Sequence, residues 1–197
     1  MVTLFVLLRH AETEWNREKR IQGQQDAPLT SHGRQQAQRW GLALARYKLD
    51  HLITSDLGRA SLTTTLINLN LHLPCSEEPR LREQDWGRWA GLNFCDLLKV
   101  KELRAQENMG WHFRPLEGES RLEVLERSRQ ALVDAASRLK GKRVLVVTHG
   151  GVIKCLLYRL SRRDFLPEEP PLLEPYRLHW LGYDGRGFQI ERLNVEI

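Results

Sequence analysis

Apolar runs alternate with amphipathic stretches along the chain, and this alternation predicts strands separated by helices. The run from Thr3 to Leu8 predicts a first buried strand, and "DHLITSD" predicts a second, shorter one. The run from Val144 to Thr148 is entirely apolar or β-branched and gives the strongest strand signal in the chain.

A helical pattern follows each of these strands. Thr30 is a suitable N-cap for the first helix, whose apolar positions recur at helical spacing: Ala37, Trp40, Leu44 and Tyr47. A second helix begins near Leu57, a third runs from Glu119 to Leu139 and stops at Gly141, and "VIKCLLYRL" predicts a fourth. The order β-α-β-α favours an α/β fold with a parallel sheet and right-handed crossovers.

The remaining stretches are of two kinds. The tail alternates apolar and polar residues around the turn signal Asp184-Gly185, which predicts a terminal hairpin. The stretch from "PRLREQDWGRWAG" to "PLEGES" is polar, irregular and rich in tryptophan. With no repeat, low-complexity linker or composition break, residues 1–197 are expected to form a single domain.

Composition narrows the function classes. The net charge of +5 indicates a basic surface, which favours anionic ligands. The basic residues are scattered along the chain, whereas nucleic-acid binding would require a cluster of them. No apolar run approaches the roughly 20 residues of a membrane span, and the N-terminus does not resemble a signal peptide. The three cysteines, Cys75, Cys95 and Cys155, fit neither a disulfide framework nor a zinc site. A cytoplasmic protein without a metal cofactor is therefore expected.

Cationic and imidazole side chains stand at equivalent places after the predicted strands. Arg9 and His10 end the first strand, Arg59 follows the second, and His149 ends the strand that begins at Val144. Ligands of an open parallel sheet bind at the carboxyl ends of its strands, so these four side chains are expected to meet. For each one alone a structural or surface role is the ordinary explanation, whereas four together predict a site.

Such a site suits a phosphoryl group. Arginine donates hydrogen bonds in a planar fork that matches phosphoryl oxygens, and a neutral imidazole is a nitrogen nucleophile. Attack on phosphorus would form a phosphohistidine, and the leaving alkoxide would need a general acid. Glu83 in "LREQDWG" is the candidate for that acid.

Five segments together resemble the histidine phosphatase superfamily, also called the phosphoglycerate-mutase-like superfamily: "LLRHAETEWN", "IQG" with "APLTSHGRQQA", "ITSDLGRASLTT", "LREQDWGRWAG" and "VVTHGG". The branch most similar contains small bacterial phosphatases such as α-ribazole phosphatase. The resemblance implies a three-layer αβα sandwich with a mostly parallel central sheet and a small helical lid insertion at about 84–120. It implies that no metal and no organic cofactor is needed.

The resemblance also implies residue roles. His10 matches the phosphorylated nucleophile, and Glu83 matches the acid that later activates water. Arg9, Arg59 and His149 match the residues that hold phosphoryl oxygens. The other matching positions are expected to help bind substrate: Thr13, Asn16, Gln22, Gly23 and Gly150.

Three functions remain open at this point. A phosphomonoester hydrolase is favoured over a phosphoglycerate-mutase-type phosphotransferase, since the segment between Glu83 and His149 is short and lacks a paired-arginine insertion. A catalytically silent phospholigand-binding module is the third. The physiological phosphomonoester is left open, α-ribazole phosphate being one candidate, as is the choice between monomer and homodimer. Specificity contacts are expected from the lid residues Trp111, Phe113 and Arg114, while the role of His112 is left open.

Overall fold

The computed structural model describes all 197 residues and contains one six-stranded sheet. Its strands are β1 (Thr3–Arg9), β2 (His51–Thr54), β3 (Cys75–Glu77), β4 (Arg143–Thr148), β5 (Leu178–Tyr183) and β6 (Phe188–Val195). The order across the sheet is β3-β2-β4-β1-β5-β6. The first four strands in this order are mutually parallel, and β5 and β6 are antiparallel to their neighbours. The expected α/β fold with a mostly parallel sheet is confirmed.

Seven α-helices connect and cover these strands. They are α1 (Glu14–Arg17), α2 (Ser31–Leu44), α3 (Gly58–Leu71), α4 (Phe94–Leu97), α5 (Lys101–Glu107), α6 (Arg121–Arg138) and α7 (Gly150–Leu160). Short 3₁₀ turns lie at Ala45–Tyr47, Pro79–Leu81, Gly87–Trp89 and Gly110–His112. No helix is long and apolar enough to cross a membrane.

The central strands are buried on both faces because their residues alternate between two apolar cores. Phe5 and Leu7 of β1 lie in the core that contains α6 and α7, while Val6 and Leu8 lie in the core that contains α2 and α3. All four side chains are fully buried. Successive residues of a strand point to opposite faces, so a continuous apolar run is what a central strand between two helical layers requires.

Helix boundaries follow local capping chemistry. Thr30 accepts a hydrogen bond from the N–H of Gly33 at 2.8 Å, as an N-cap does, which confirms the predicted start of α2. Ser120 and Glu123 form a capping box that starts α6 two residues later than the sequence pattern indicated. Tyr47 lies beyond α2, in a 3₁₀ turn, so the predicted helix was too long at that end.

Residues 84–120, here called the insertion, form a small unit with its own apolar cluster. That cluster comprises Trp89, Leu97, Leu103 and Phe113. The two ends of the insertion are joined, because the N–H of Glu119 donates to the carbonyl of Asp85 at 2.9 Å. The sequence pattern predicted no strand or long helix here, and the structure has only α4, α5 and two 3₁₀ turns. The strand β3 was not predicted either.

Candidate active site

Three neighbouring parallel strands deliver the predicted side chains to one edge of the sheet. β2, β4 and β1 are adjacent, and each is followed by a polar residue of the site: Ser55, His149 and His10 respectively. The backbone extends the pairing beyond the strands, since the N–H of His10 donates to Thr148 O at 2.9 Å and that of Ser55 to Val147 O at 3.0 Å. The predicted meeting at the strand ends therefore occurs.

His10 is buried, and its hydrogen bonds define its tautomer. Nδ1 lies 2.8 Å from the carbonyl oxygen of Ala11, which can only accept, so Nδ1 carries the proton. Nε2 is the unprotonated nitrogen and accepts from Nε of Arg59 at 3.3 Å. Burial holds the pKa of His10 well below its ordinary value of 6.5, and the charges of Arg9 and Arg59 lower it further. His10 is thus a neutral imidazole whose Nε2 lone pair accepts a hydrogen bond from Arg59.

His149 lies beside His10, with 5.2 Å between the ring centroids. It is fully buried, and its Nε2 is 2.9 Å from the hydroxyl of Ser55. Ser55 Oγ also accepts from the N–H of Leu57 at 3.3 Å, and Nε2 of His149 is the one acceptor within reach of its own proton. We therefore assign the Ser55 hydroxyl as the donor to Nε2, which places the proton of His149 on Nδ1. Burial, followed by the charge of Arg59, holds the pKa of His149 well below 6.5. His149 is therefore a neutral donor.

Arg59, at the second position of α3, is buried and held by a loop. Nη2 donates to Gly23 O at 2.7 Å, and Nη1 donates to Gln25 O at 2.7 Å and to Asp26 Oδ1 at 2.9 Å. Burial lowers the pKa of Arg59 from its ordinary value, but an arginine remains charged at neutral pH. The site therefore holds a cation against the nucleophilic nitrogen of His10.

Glu83 reaches the site from the segment that follows the 3₁₀ turn Pro79–Leu81. Leu81 in that turn is fully buried, and its carbonyl accepts from Thr148 Oγ1 at 2.7 Å, which ties the turn to the end of β4. The carboxylate accepts from the N–H of Gly151 at 3.1 Å and from the N–H of Gln84 at 2.9 Å. A Cβ on Gly151 would overlap Glu83 Oε1, so only glycine leaves room for this carboxylate. Gly151 was missed by the sequence reasoning, although it is the second glycine of "HGG".

Seven of the ten predicted residues line a cavity of about 150 Å³, here called the inner pocket, while Thr13, His149 and Gly150 do not. Its lining consists of Arg9, His10, Asn16, Arg20, Ile21, Gln22, Gly23, Arg59, Glu83 and Trp86. Arg20, Ile21 and Trp86 were not predicted to line the site. Thr13 does not line it: it is fully buried as the N-cap of α1, where its side chain and backbone bond to Asn16.

A second cavity of about 350 Å³, here called the outer pocket, adjoins the inner one and shares Arg9 and Glu83 with it. Its remaining walls come from the first turns of α7, the segment before β5 and the start of β5: Gly150, Gly151, Ile153, Lys154, Leu173, Glu174, Pro175, Tyr176, Arg177 and His179. The Arg9 guanidinium lies 5.8 Å from the centroid of the Tyr176 ring.

The residues predicted for specificity lie elsewhere. Phe113 is 1% exposed and packs against Trp86 and Trp89 inside the insertion. Trp111 donates its indole N–H to Arg163 O at 2.7 Å, and Arg114 pairs with Glu123 at 2.7 Å. Neither they nor His112 line the inner or the outer pocket. The expected specificity contacts are therefore not found at either pocket: Phe113 belongs to the core of the insertion, and Trp111 packs against the core that contains α6 and α7.

Unpaired buried polar atoms concentrate at the site. Arg9 Nε, Gln22 Oε1 and His149 Nδ1 are buried without a hydrogen-bond partner, and only Trp180 Nε1 shares this condition elsewhere. Such groups are costly to bury and call for an explanation, which a ligand with several oxygens supplies for the two nitrogens. No group of three or more His, Cys, Asp or Glu side chains is placed to hold a metal ion.

The protein has an α/β fold with a mostly parallel sheet. At the carboxyl ends of its strands, the site brings two histidines together with the arginines Arg9 and Arg59. The chain belongs to the histidine phosphatase superfamily, branch 1, whose family model matches residues 5–196. A probable phosphoglycerate mutase GpmB of Escherichia fergusonii is 39% identical over 153 residues, which cover 77% of this chain and 71% of the relative.

Two solved structures extend the comparison over the whole chain. Bacillus stearothermophilus YhfR is 32% identical with a TM-score of 0.89, and the match covers 99% of this chain and 98% of that one. A mycobacterial glucosyl-3-phosphoglycerate phosphatase, solved as a complex with VO3, is 26% identical with a TM-score of 0.86, covering 98% of this chain and 99% of that one. The superfamily and these neighbours support an enzyme.

Proposed function

We propose that this protein is a metal-independent phosphomonoester hydrolase that works through a covalent phosphohistidine on His10. The observation that carries the proposal is the tautomer of His10. Its proton is fixed on Nδ1 by the Ala11 carbonyl, so Nε2 offers a lone pair beside the cation of Arg59. A nucleophile next to a fixed positive charge is suited to attack an electrophile that carries negative charge.

The first step transfers the phosphoryl group. The Nε2 lone pair forms a bond to phosphorus, the bond from phosphorus to the ester oxygen breaks, and Glu83 gives its proton to that oxygen. The developing charge on the phosphoryl oxygens is balanced by Arg9 and Arg59, and His149 donates to them from Nδ1. In the free protein the Arg59 Nε–H donates to Nε2 of His10; this bond breaks as Nε2 attacks, and the Nε–H then donates to a phosphoryl oxygen.

The second step hydrolyses the phosphohistidine. Water attacks phosphorus and loses a proton to Glu83, which the first step left ionised, and the bond from phosphorus to Nε2 breaks. Inorganic phosphate leaves, and both His10 and Glu83 return to their starting protonation states. The alcohol part of the substrate occupies the outer pocket, because that pocket begins at Glu83, where the ester oxygen must lie.

The test is phosphate release and a trapped intermediate. Wild-type protein in the presence of a chelator should release phosphate from p-nitrophenyl phosphate, and His10→Ala should lose this activity by at least 1,000-fold on the scale of covalent catalysis. Protein quenched in alkali during turnover of labelled substrate should retain label that is lost in acid, as phosphohistidine is. Equal labelling of His10→Ala would refute the role of His10, and binding of phosphate without turnover by wild type would instead indicate a silent module.

A mutase is the second candidate, and the GpmB relative favours it. Against it, the insertion contributes only Trp86 to the inner pocket. Two of its three arginines, Arg88 and Arg114, are paired with Glu117 and Glu123, and the third, Arg104, is exposed on α5 and does not line that pocket. 3-Phosphoglycerate should therefore lose phosphate to water. Conversion to 2-phosphoglycerate with no net phosphate release would reject the hydrolase. A panel of phosphorylated metabolites compared by kcat/KM would then identify the substrate.

A further inference from the structure

Arg127, on α6, contacts the backbone that carries Glu83. Its Nη2 donates to the carbonyl of Glu83 at 3.1 Å, and its Nη1 donates to the carbonyl of Arg80 at 2.6 Å. Arg80 lies in the 3₁₀ turn Pro79–Leu81 and Glu83 lies two residues after it, just before the insertion. The Arg127 side chain is only 19% exposed, so these bonds are largely shielded from solvent.

The same guanidinium makes a two-pronged ion pair with Glu119 at the other end of the insertion. Nε lies 2.6 Å from Oε1 and Nη2 lies 2.8 Å from Oε2. Glu119 in turn accepts from the N–H of Asp85 at 3.3 Å through Oε2, and its carbonyl accepts from the Gln84 side chain at 2.7 Å. Arg127 is thus the point at which helix α6, both ends of the insertion and the Glu83 backbone are tied together.

We propose that Arg127 is a positioning residue for the general acid, acting on Glu83 through the carbonyl of the same residue; this rests on the hydrolase function proposed above. The Glu83 carboxylate is fixed at its tip by Gly151 and Gln84, but both bonds require the residue-83 backbone to be in place. A general acid works only within hydrogen-bond reach of the oxygen that it protonates. Holding the backbone therefore holds the proton at the ester oxygen.

Comparing two leaving groups distinguishes a misplaced general acid from a general loss of active-site structure. An alkoxide must be protonated as it leaves, whereas p-nitrophenolate is stable enough to leave without a proton. The ratio kcat/KM covers the steps up to loss of the leaving group, so it reports this difference without the later hydrolysis step. A misplaced acid should lower kcat/KM for an alkyl phosphate and spare that for p-nitrophenyl phosphate.

The experiment compares Arg127→Met with wild type on both substrates. We expect kcat/KM for an alkyl phosphate such as glycerol 1-phosphate to fall by roughly 10- to 100-fold, the scale of a misplaced catalytic group. For p-nitrophenyl phosphate the change should stay within about threefold, because its loss needs little proton transfer. Should Arg127→Met not fold, Glu119→Gln, which removes the charge that holds Arg127, should give the same selective loss with a smaller amplitude.

Arg80 supplies the matched control. Its side chain also ties α6 to the 3₁₀ turn, pairing with Asp134 at 2.7 Å and with Glu78 at 2.7 Å, but it makes no contact with Glu83. Arg80→Met should therefore change the two substrates by the same factor. A selective loss in Arg80→Met, or an equal loss on both substrates in Arg127→Met, would overturn the positioning role. Failure of the hydrolase proposal would show separately, as wild-type protein that releases phosphate from neither substrate.

Discussion

Gly151→Ala tests the site at its tightest contact. The new methyl group would lie 3.2 Å from Cδ of Glu83 and closer to Oε1 than the 3.0 Å below which Cβ atoms are essentially never found. The obstructed atom is the end of a flexible side chain, so the carboxylate can swing away without moving the backbone. The same movement breaks its hydrogen bond from the N–H of residue 151.

The size of the effect differs between activity and stability. Restoring an ordinary contact moves the carboxylate by about 1 Å, and a displacement of that size in a catalytic group costs roughly 100-fold in rate. We therefore expect kcat/KM for an alkyl phosphate to fall by about two orders of magnitude. Stability should change little or rise, because alanine favours a helix over glycine by about 1 kcal/mol and Gly151 is the second residue of α7.

Gly150→Ala is the natural comparison, since a Cβ there meets Arg9 only at 3.7 Å and beyond, which is ordinary contact. Steady-state kinetics and thermal unfolding of the two variants, measured in parallel, check the prediction. We expect the loss of activity in Gly150→Ala to be at least tenfold smaller on the same distance argument. Retention of full activity by Gly151→Ala would refute the argument that Glu83 must sit where the structure places it.

Two other predictions follow from the imidazoles. Ser55→Ala should lower kcat/KM by about 2- to 10-fold, which corresponds to the free energy of one hydrogen bond. The reason is that His149 loses the hydrogen-bond partner of its Nε2. An unchanged kcat/KM would contradict this prediction. The free energy of unfolding should fall as the pH drops below 6.5, because unfolded chains protonate His10 and His149 there, whereas burial keeps both neutral in the folded protein. Each histidine contributes a slope of about 1.4 kcal/mol per pH unit to the free energy of unfolding. Urea unfolding of His10→Asn should therefore show a shallower pH dependence than that of wild type. Parallel curves for the two proteins would disprove that His10 is neutral in the folded protein.

The central strands and the nucleophilic end of the site could be predicted from sequence because they depend on strong local patterns. A buried run such as Val144–Thr148 has few alternatives to a central strand, and whatever follows it must lie at the ligand-binding edge. His10 and His149 were found in this way. β3 escaped because it has only three residues, of which Cys75 and Glu77 are exposed, so no apolar pattern marks it.

Contacts between segments distant in the chain could not be predicted in the same way. Nothing local in "ITSD" shows that Ser55 bonds to a histidine 94 residues away. The aromatic residues of the insertion are ambiguous for the same reason, since Trp86 and Phe113 suit a small core and a substrate wall equally well. Only the packing decides, and it places Phe113 inside and Trp86 at the inner pocket.

In the proposed mechanism, the loop that holds Arg59 lowers the entropy cost of binding a phosphoryl group. An arginine side chain in water samples many rotamers, and fixing it in one of them costs roughly 2 kcal/mol of conformational entropy. For Arg59 this cost is met during folding, because hydrogen bonds to Gly23, Gln25 and Asp26 already fix the side chain. An anion that enters the pocket therefore meets a guanidinium whose conformation is already fixed. The affinity of the pocket therefore depends partly on residues that do not contact the ligand. Replacing Asp26 with an uncharged residue would increase the mobility of the Arg59 guanidinium.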